Sequence, residues 1–142
     1  MKIISETIKS SIAKVLVMNY SDVKIYKNKV EQGISLPCFF ISQIDTEFEK
    51  KARNRFEINY LMNIRYHSNN ATRTNLEEIA LNLFDILETL NIEGSRPIYG
   101  RKLRYEVVDD ILQFFVSYKL TVRRDLSTEI KMNELDLKGG IK

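Results

Sequence analysis

Residues 55–68, RFEINYLMNIRYHS, alternate apolar and polar side chains almost without a slip, and a period of two is that of a strand. Successive side chains of a strand leave opposite faces. Arg55, Glu57, Asn59, Leu61, Asn63, Arg65 and His67 therefore share one face, polar but for a single leucine, while Ile58, Met62 and Ile64 share the other. A chain with a strand of this length must cover the apolar face from within itself. It must also leave the polar face against water or against another molecule.

The rest of the chain supplies the cover. At 142 residues it suits one domain and can bury about two thirds of the surface it exposes when unfolded. The pattern predicts a single α+β domain over residues 1–124 and a C-terminal segment over 125–142. The lone Cys38 excludes an internal disulfide framework and reads as a small buried apolar residue at a strand start. A net charge of +3, from 22 basic and 19 acidic residues, is too balanced to mark a polyanion binder. The opening MKIISETIKSSIAKVLV is interrupted by Glu6, Lys9 and Lys14, unlike the unbroken core of a signal peptide. No run approaches the roughly twenty apolar residues of a membrane span, and no membrane role is expected.

Ile4, Ile8, Ile12 and Val15 recur at steps of four and three, predicting an amphipathic helix over 3–18 closed by Asn19. A short strand is expected over 22–30, and EQGISLP, with Gly33 and Pro37, reads as a loop. A second helix is expected in NNATRTNLEEIALNLFDILETLNIEG. Thr74 would cap it with Glu77 in a capping box, Gly94 would end it, and Leu76, Ile79, Leu83, Ile86, Leu87 and Leu90 would form its apolar stripe.

Two long hairpins complete the expected fold. In the first, Cys38 faces Ile64, Phe40 faces Met62 and Ile44 faces Ile58, with Lys50, Lys51 and Ala52 as the loop. This register sets Glu49 opposite Arg53 and Glu47 opposite Arg55, pairings that favour it modestly. In the second, Asp109 and Asp110 form a two-residue turn, so that Val107 faces Leu112, Tyr105 faces Phe114 and Leu103 faces Val116. The fold class is thus α+β: a mainly antiparallel sheet of two hairpins plus one short strand, with two helices on its apolar face. After Arg124 the pattern dissolves: only Leu135, Leu137 and Ile141 alternate, interrupted by a glycine pair, and the segment reads either as a disordered free tail or as a strand added to a neighbouring subunit's sheet edge.

A search for catalytic chemistry gives little. His67 is the only histidine, and no second histidine or cysteine can complete a metal site with it. Asp109 and Asp110 are adjacent carboxylates but have a turn to make, and Glu77 and Glu78 sit in a first helical turn. The common phosphate-binding, zinc-protease and nucleophile-elbow motifs are absent from the sequence. No catalytic, cofactor-binding or metal residue is assigned, no cofactor is expected, and an enzyme is not the expected class. The basic run KKARNR, with Lys50, Lys51, Arg53 and Arg55, is the one local feature compatible with a DNA-facing or partner-facing loop.

The polar face of residues 55–67 has a counterpart in Gln113, Phe115, Ser117, Lys119, Thr121 and Arg123 of the last strand. Each carries one large apolar residue, Leu61 or Phe115, among polar neighbours, a composition suited to a contact with an apolar centre and a polar rim. Leu61, Asn63, Arg65 and Phe115, with Leu135 and Leu137, are the candidate interface residues.

Several phrases together, YKNKVEQGISLPCFFIS, RFEINYLMNIRY, NLEEIALNLFDILETL and LRYEVVDDILQFFVSYKLTV, resemble the small tail-terminator proteins of long-tailed bacteriophages and related prophage elements. The resemblance runs from residue 1 to about 124, and MNELDLKGGIK is similar in style. It implies a structural virion protein that forms a homo-oligomeric, typically hexameric, ring on the head-proximal end of the tail tube. Such a ring stops the tube protein from polymerising and offers a joining surface to the head connector or neck, and DNA passes through it without sequence-specific binding. The implied location is the virion tail, and the host cytoplasm during assembly. Two other readings stay open at this point: a head-tail connector or stopper of the neck, and a small nucleic-acid-binding module using the 50–55 loop.

Overall fold

The computed structural model describes residues 4–27 and 33–123. Among these residues two helices, α1 (Ser5–Asn19) and α2 (Arg73–Leu87), pack on a sheet of six strands: β1 (Lys24–Tyr26), β2 (Cys38–Ala52), β3 (Arg55–His67), β4 (Thr89–Leu90), β5 (Ile98–Val108) and β6 (Ile111–Arg123). The strand order is β1-β2-β3-β6-β5-β4. Every neighbouring pair is antiparallel except β1 and β2, which run parallel. The expected α+β class holds, with two corrections: the sheet is mixed, and β4 adds a sixth strand to the expected five.

The core lies between the helices and one face of the sheet. Ile8, Ile12 and Leu16 of α1 and Leu76, Ala80, Leu83 and Leu87 of α2 pack against Phe39, Ile41, Met62, Ile64, Leu112, Phe114, Val116 and Tyr118. In α1, Leu16 takes the buried place expected of Val15, and Ile4 is exposed. Asn19 is the last helical residue, its side chain donating to the Val15 carbonyl at 2.8 Å.

Helix α2 starts earlier than expected and ends earlier too. Thr72, not Thr74, is the N-cap, its Oγ1 accepting from the Asn75 N–H at 3.1 Å. The helix stops at Leu87, well before Gly94, because its last carbonyls find partners on the sheet. The Tyr118 hydroxyl donates to the Leu87 carbonyl at 2.5 Å, and the Gly100 N–H donates to the Glu88 carbonyl at 2.6 Å. Leu90 is buried as expected, but from β4 instead of the helix. Gly100 permits this approach: a Cβ there would stand 2.7 Å from Val116 Cγ2.

The β5–β6 hairpin turns on Asp109 and Asp110, both at positive φ (53° and 64°), and pairs Val107 with Leu112 and Tyr105 with Phe114 as expected. A bulge between Arg101 and Arg104, with Lys102 at φ 54°, ends that register before the expected pairing of Leu103 with Val116.

The β2–β3 hairpin departs from expectation. Cys38 faces His67, Phe40 faces Arg65, Ile41 faces Ile64 and Gln43 faces Met62, and the turn is Arg53 and Asn54 instead of Lys50 to Ala52. A bulge at Ile44 then inverts the parity of β2. Phe39 and Ile41 look toward the helices before it, and after it Phe48, opposite Ile58, shares their face. Phe40 consequently lies on the other face, stacked on Tyr26 at 5.1 Å between ring centres.

Candidate functional site: the outer face and edges of the sheet

Strand pairing arranges the face away from the helices in rows that cross β2, β3, β6 and β5. The first row is Phe40, Arg65, Gln113 and Glu106; the second is Ser42, Asn63, Phe115 and Arg104; the third is Asp45, Leu61, Ser117 and Arg101. Further along β2 and β3, Glu47 faces Asn59, which faces Lys119, and Glu49 faces Glu57. A groove in this face is lined by Glu47, Glu49, Glu57, Asn59, Arg101, Lys102, Ser117 and Lys119. Its β2 side is acidic and its β5 side is basic.

At the groove floor Lys119 Nζ lies 3.1 Å from Glu57 Oε1, and Lys51 Nζ lies 3.7 Å from the same oxygen and 3.4 Å from Glu49. The hydrogen bond from Lys119, aided by the charges of Lys119 and Lys51, holds the Glu57 carboxyl below its ordinary range despite some desolvation. The Arg104 guanidinium sits over the Phe115 ring at 4.0 Å, and Arg65 over Phe40 at 5.1 Å. Burial holds the His67 imidazole below its ordinary value, with Arg65 adding to the effect. Burial pushes the Cys38 thiol up. No group of His, Cys, Asp and Glu among the described residues could hold a metal ion, and no helix among them is long and apolar enough to cross a membrane.

The residues named from sequence divide into several groups here. Leu61 and Phe115 do lie on the outer face, both half-buried, and Phe115 is roofed by Arg104. Arg65 shares that face, over Phe40. Asn63 is 4% exposed, and its amide donates to the Phe114 carbonyl at 3.3 Å and to the Gln113 side chain at 3.4 Å. Leu135 and Leu137, with the strand expected around them, lie outside the described residues.

In the basic run, the expected pairs Glu49–Arg53 and Glu47–Arg55 do not form. Arg53 is in the turn, Arg55 faces Ala52 and Arg123, and Lys51 is the residue that meets Glu49. Arg101, Lys102, Arg104 and Asp45 were not singled out from sequence. Their signal is nevertheless present, as RKLR directly after Gly100 and as the alternating acids of DTEFE.

These features define a class of protein: an α+β domain with a buried core on one side and, on the other, a charged sheet face between open strand edges. The chain matches the family model described as phage tail terminator protein over residues 7–130, and it belongs to that family. A search of curated proteins gave no match. The chain is therefore a structural component of the phage tail.

Proposed function

We propose that this chain caps the head-proximal end of the tail tube as a homo-oligomeric ring, six-fold in the reading carried by the family resemblance. The ring ends polymerisation of the tube protein and gives the head connector or neck a surface to join. DNA crosses it without sequence readout, and the protein acts without catalysis, first in the host cytoplasm and then in the virion. The observation that carries the proposal is the family match over residues 7–130. The extended β2–β3 hairpin supports it, because a ring needs two different patches on each subunit and a hairpin that reaches past the core supplies contact surface. The C-terminal segment from residue 125, with Leu135 and Leu137, is proposed to add to a neighbouring subunit.

Deletion of the gene should give tails of abnormal length or tails that do not join heads, seen by electron microscopy, with rescue by the unmodified gene. Tails of normal length joined to heads in the deletion strain would reject the proposal. The outer face can be tested alone. Leu61→Asp should leave the circular dichroism spectrum intact and weaken assembly, because a carboxylate desolvated at a contact without a partner is costly. Unchanged assembly would remove Leu61 from the contact.

A further inference from the structure

The ends of the sheet carry a feature that the ring reading does not by itself require. Among the described residues, β1 covers β2 only from Cys38 to Phe40, and β4 covers β5 only at Ile98 and Tyr99. No described strand pairs with the remainder of either, which leaves an edge with one row of backbone donors and acceptors facing outward. Such edges invite pairing with another chain unless charge or shape prevents it.

Charge here selects the pairing. On β2, Asp45, Glu47 and Glu49 alternate with no basic residue between them, all exposed. On β5, Arg101, Lys102 and Arg104 come within four residues with no acid between them, also exposed. Two β2 edges would repel each other, and so would two β5 edges. Lys50 and Lys51 follow the acidic run on β2 and Glu106 follows the basic run on β5, so it is over residues 45–49 and 101–104 that a β2 edge against a β5 edge brings opposite charges together.

Direction and height agree with that combination. Along β2-β3-β6-β5 each strand is antiparallel to the next, so β5 runs opposite to β2. Copies related by rotation about an axis along the strands would therefore present β5 of one to β2 of the next in antiparallel orientation. Asp45, Leu61, Ser117 and Arg101 form one row, so copies at equal height bring Asp45 level with Arg101 of the neighbour. A stagger of two residues, about 7 Å, brings Glu47 level with Arg101 instead.

From this we infer that the subunit contact is an edge-to-edge strand pairing, with the acidic edge of β2 in one copy seated on the basic edge of β5 in the next. It rests on the ring reading and names the surface that builds the ring. The contact joins two different patches, so it propagates head to tail and closes only if the rotation allows.

The test uses two charge-reversed chains, Asp45→Lys with Glu47→Lys, and Arg101→Glu with Arg104→Glu, each checked for folding by circular dichroism. Assembly is measured by analytical ultracentrifugation. If the unmodified protein assembles only on tails, the readout is restoration of normal tails in cells lacking the gene. Each reversed chain alone should lose assembly by tenfold or more. Mixed in equal amounts they should recover it, because every acidic edge again meets a basic one in an alternating ring of even number. A single chain carrying all four changes should also assemble.

Retained assembly by either folded variant alone, or failure of the mixture when both components are folded, overturns the inference. If one pair fails to fold, the disulfide test replaces it: Arg101→Cys combined with Asp45→Cys, or with Glu47→Cys for the staggered register, should give covalent multimers under oxidation in one of the two chains, and monomer alone in both would reject the contact. Either result is separable from failure of the ring reading, which would show as normal tails without the gene.

Discussion

From Leu112 to Tyr118, β6 is covered on its helix side by α2, and Leu112, Phe114, Val116 and Tyr118 have no exposed surface at all. From Gln43 to Ala52, β2 is exposed at every residue, including Phe48 at 58%, although it sits in the same ladder two strands away. Both stretches have their backbone groups bonded to β3, so strand pairing is common to them and burial is not. The covered stretch derives its stability from apolar area. The bare stretch is held by backbone hydrogen bonds and cross-strand pairs such as Phe48 on Phe56, with ring centres 5.2 Å apart. One half of the sheet serves the fold, and the other is free to serve an assembly.

The comparison is broken most directly at its covered end. Phe114→Ala should lower stability by about 3–5 kcal/mol in urea titration, since the ring is fully buried and meets Phe84 edge-on at 5.2 Å. Phe115→Ala, on the outer face, should cost far less. If Phe115→Ala were the more damaging of the two, the division of the sheet into a structural and a free face would be wrong.

Next in size is the seam where α2 meets β5. Gly100→Ala would push a Cβ against Val116 Cγ2 and crowd the Leu87 carbonyl, which already accepts the Tyr118 hydroxyl. The expected loss is about 1–3 kcal/mol, the usual cost of overpacking, read as a lower urea midpoint with an unchanged slope. A neutral result would mean that the helix end moves freely away from the sheet.

The same division explains what could be read from the sequence. The β5–β6 turn was legible because Asp109 and Asp110 suit the left-handed conformation that a two-residue hairpin demands, and the apolar residues on both sides agree with it. The β2–β3 register was not. Past Ile44 the strand offers one large apolar residue, Phe48, to fix its parity, and a bulge at Ile44 has no signature in an alternation pattern. Thr72 and Thr74 are both good caps two residues apart, and tertiary packing decides between them. Leu90 continues the helical spacing of Leu83 and Leu87, so a two-residue strand was indistinguishable from a last turn. The candidate face was legible through its odd-numbered residues. Its charged edges were not, because they become edges only once the strand order is known.

At the bare end of the comparison the expected effect is smaller. Phe48→Ser removes one aromatic pair from a side chain already mostly in water, so the loss should be about 1 kcal/mol. A loss equal to that of Phe114→Ala would mean that the hairpin arm is part of the cooperative core.

The smallest effects are electrostatic, and they sharpen the comparison by pH window. Glu57 and His67 both have folded-state values below the ordinary ones, 4.5 and 6.5, but for different reasons: a hydrogen bond from Lys119 for the first and burial for the second. In both cases the unfolded chain binds the proton more readily, so the stabilisation is present above the ordinary value and is lost as pH falls toward the folded one. His67 should therefore remove a little stability as pH drops below about 6.5, the ordinary imidazole range, and Glu57 only below the ordinary carboxylate range. Lys119→Met should move the Glu57 titration upward, followed by carboxyl NMR, and leave His67 where it is. The shift should be incomplete, since Lys51 still stands 3.7 Å away. A Glu57 titration unmoved by Lys119→Met would show that the ion pair on the groove floor does not form in solution, leaving Lys51 as the cation beside Glu57.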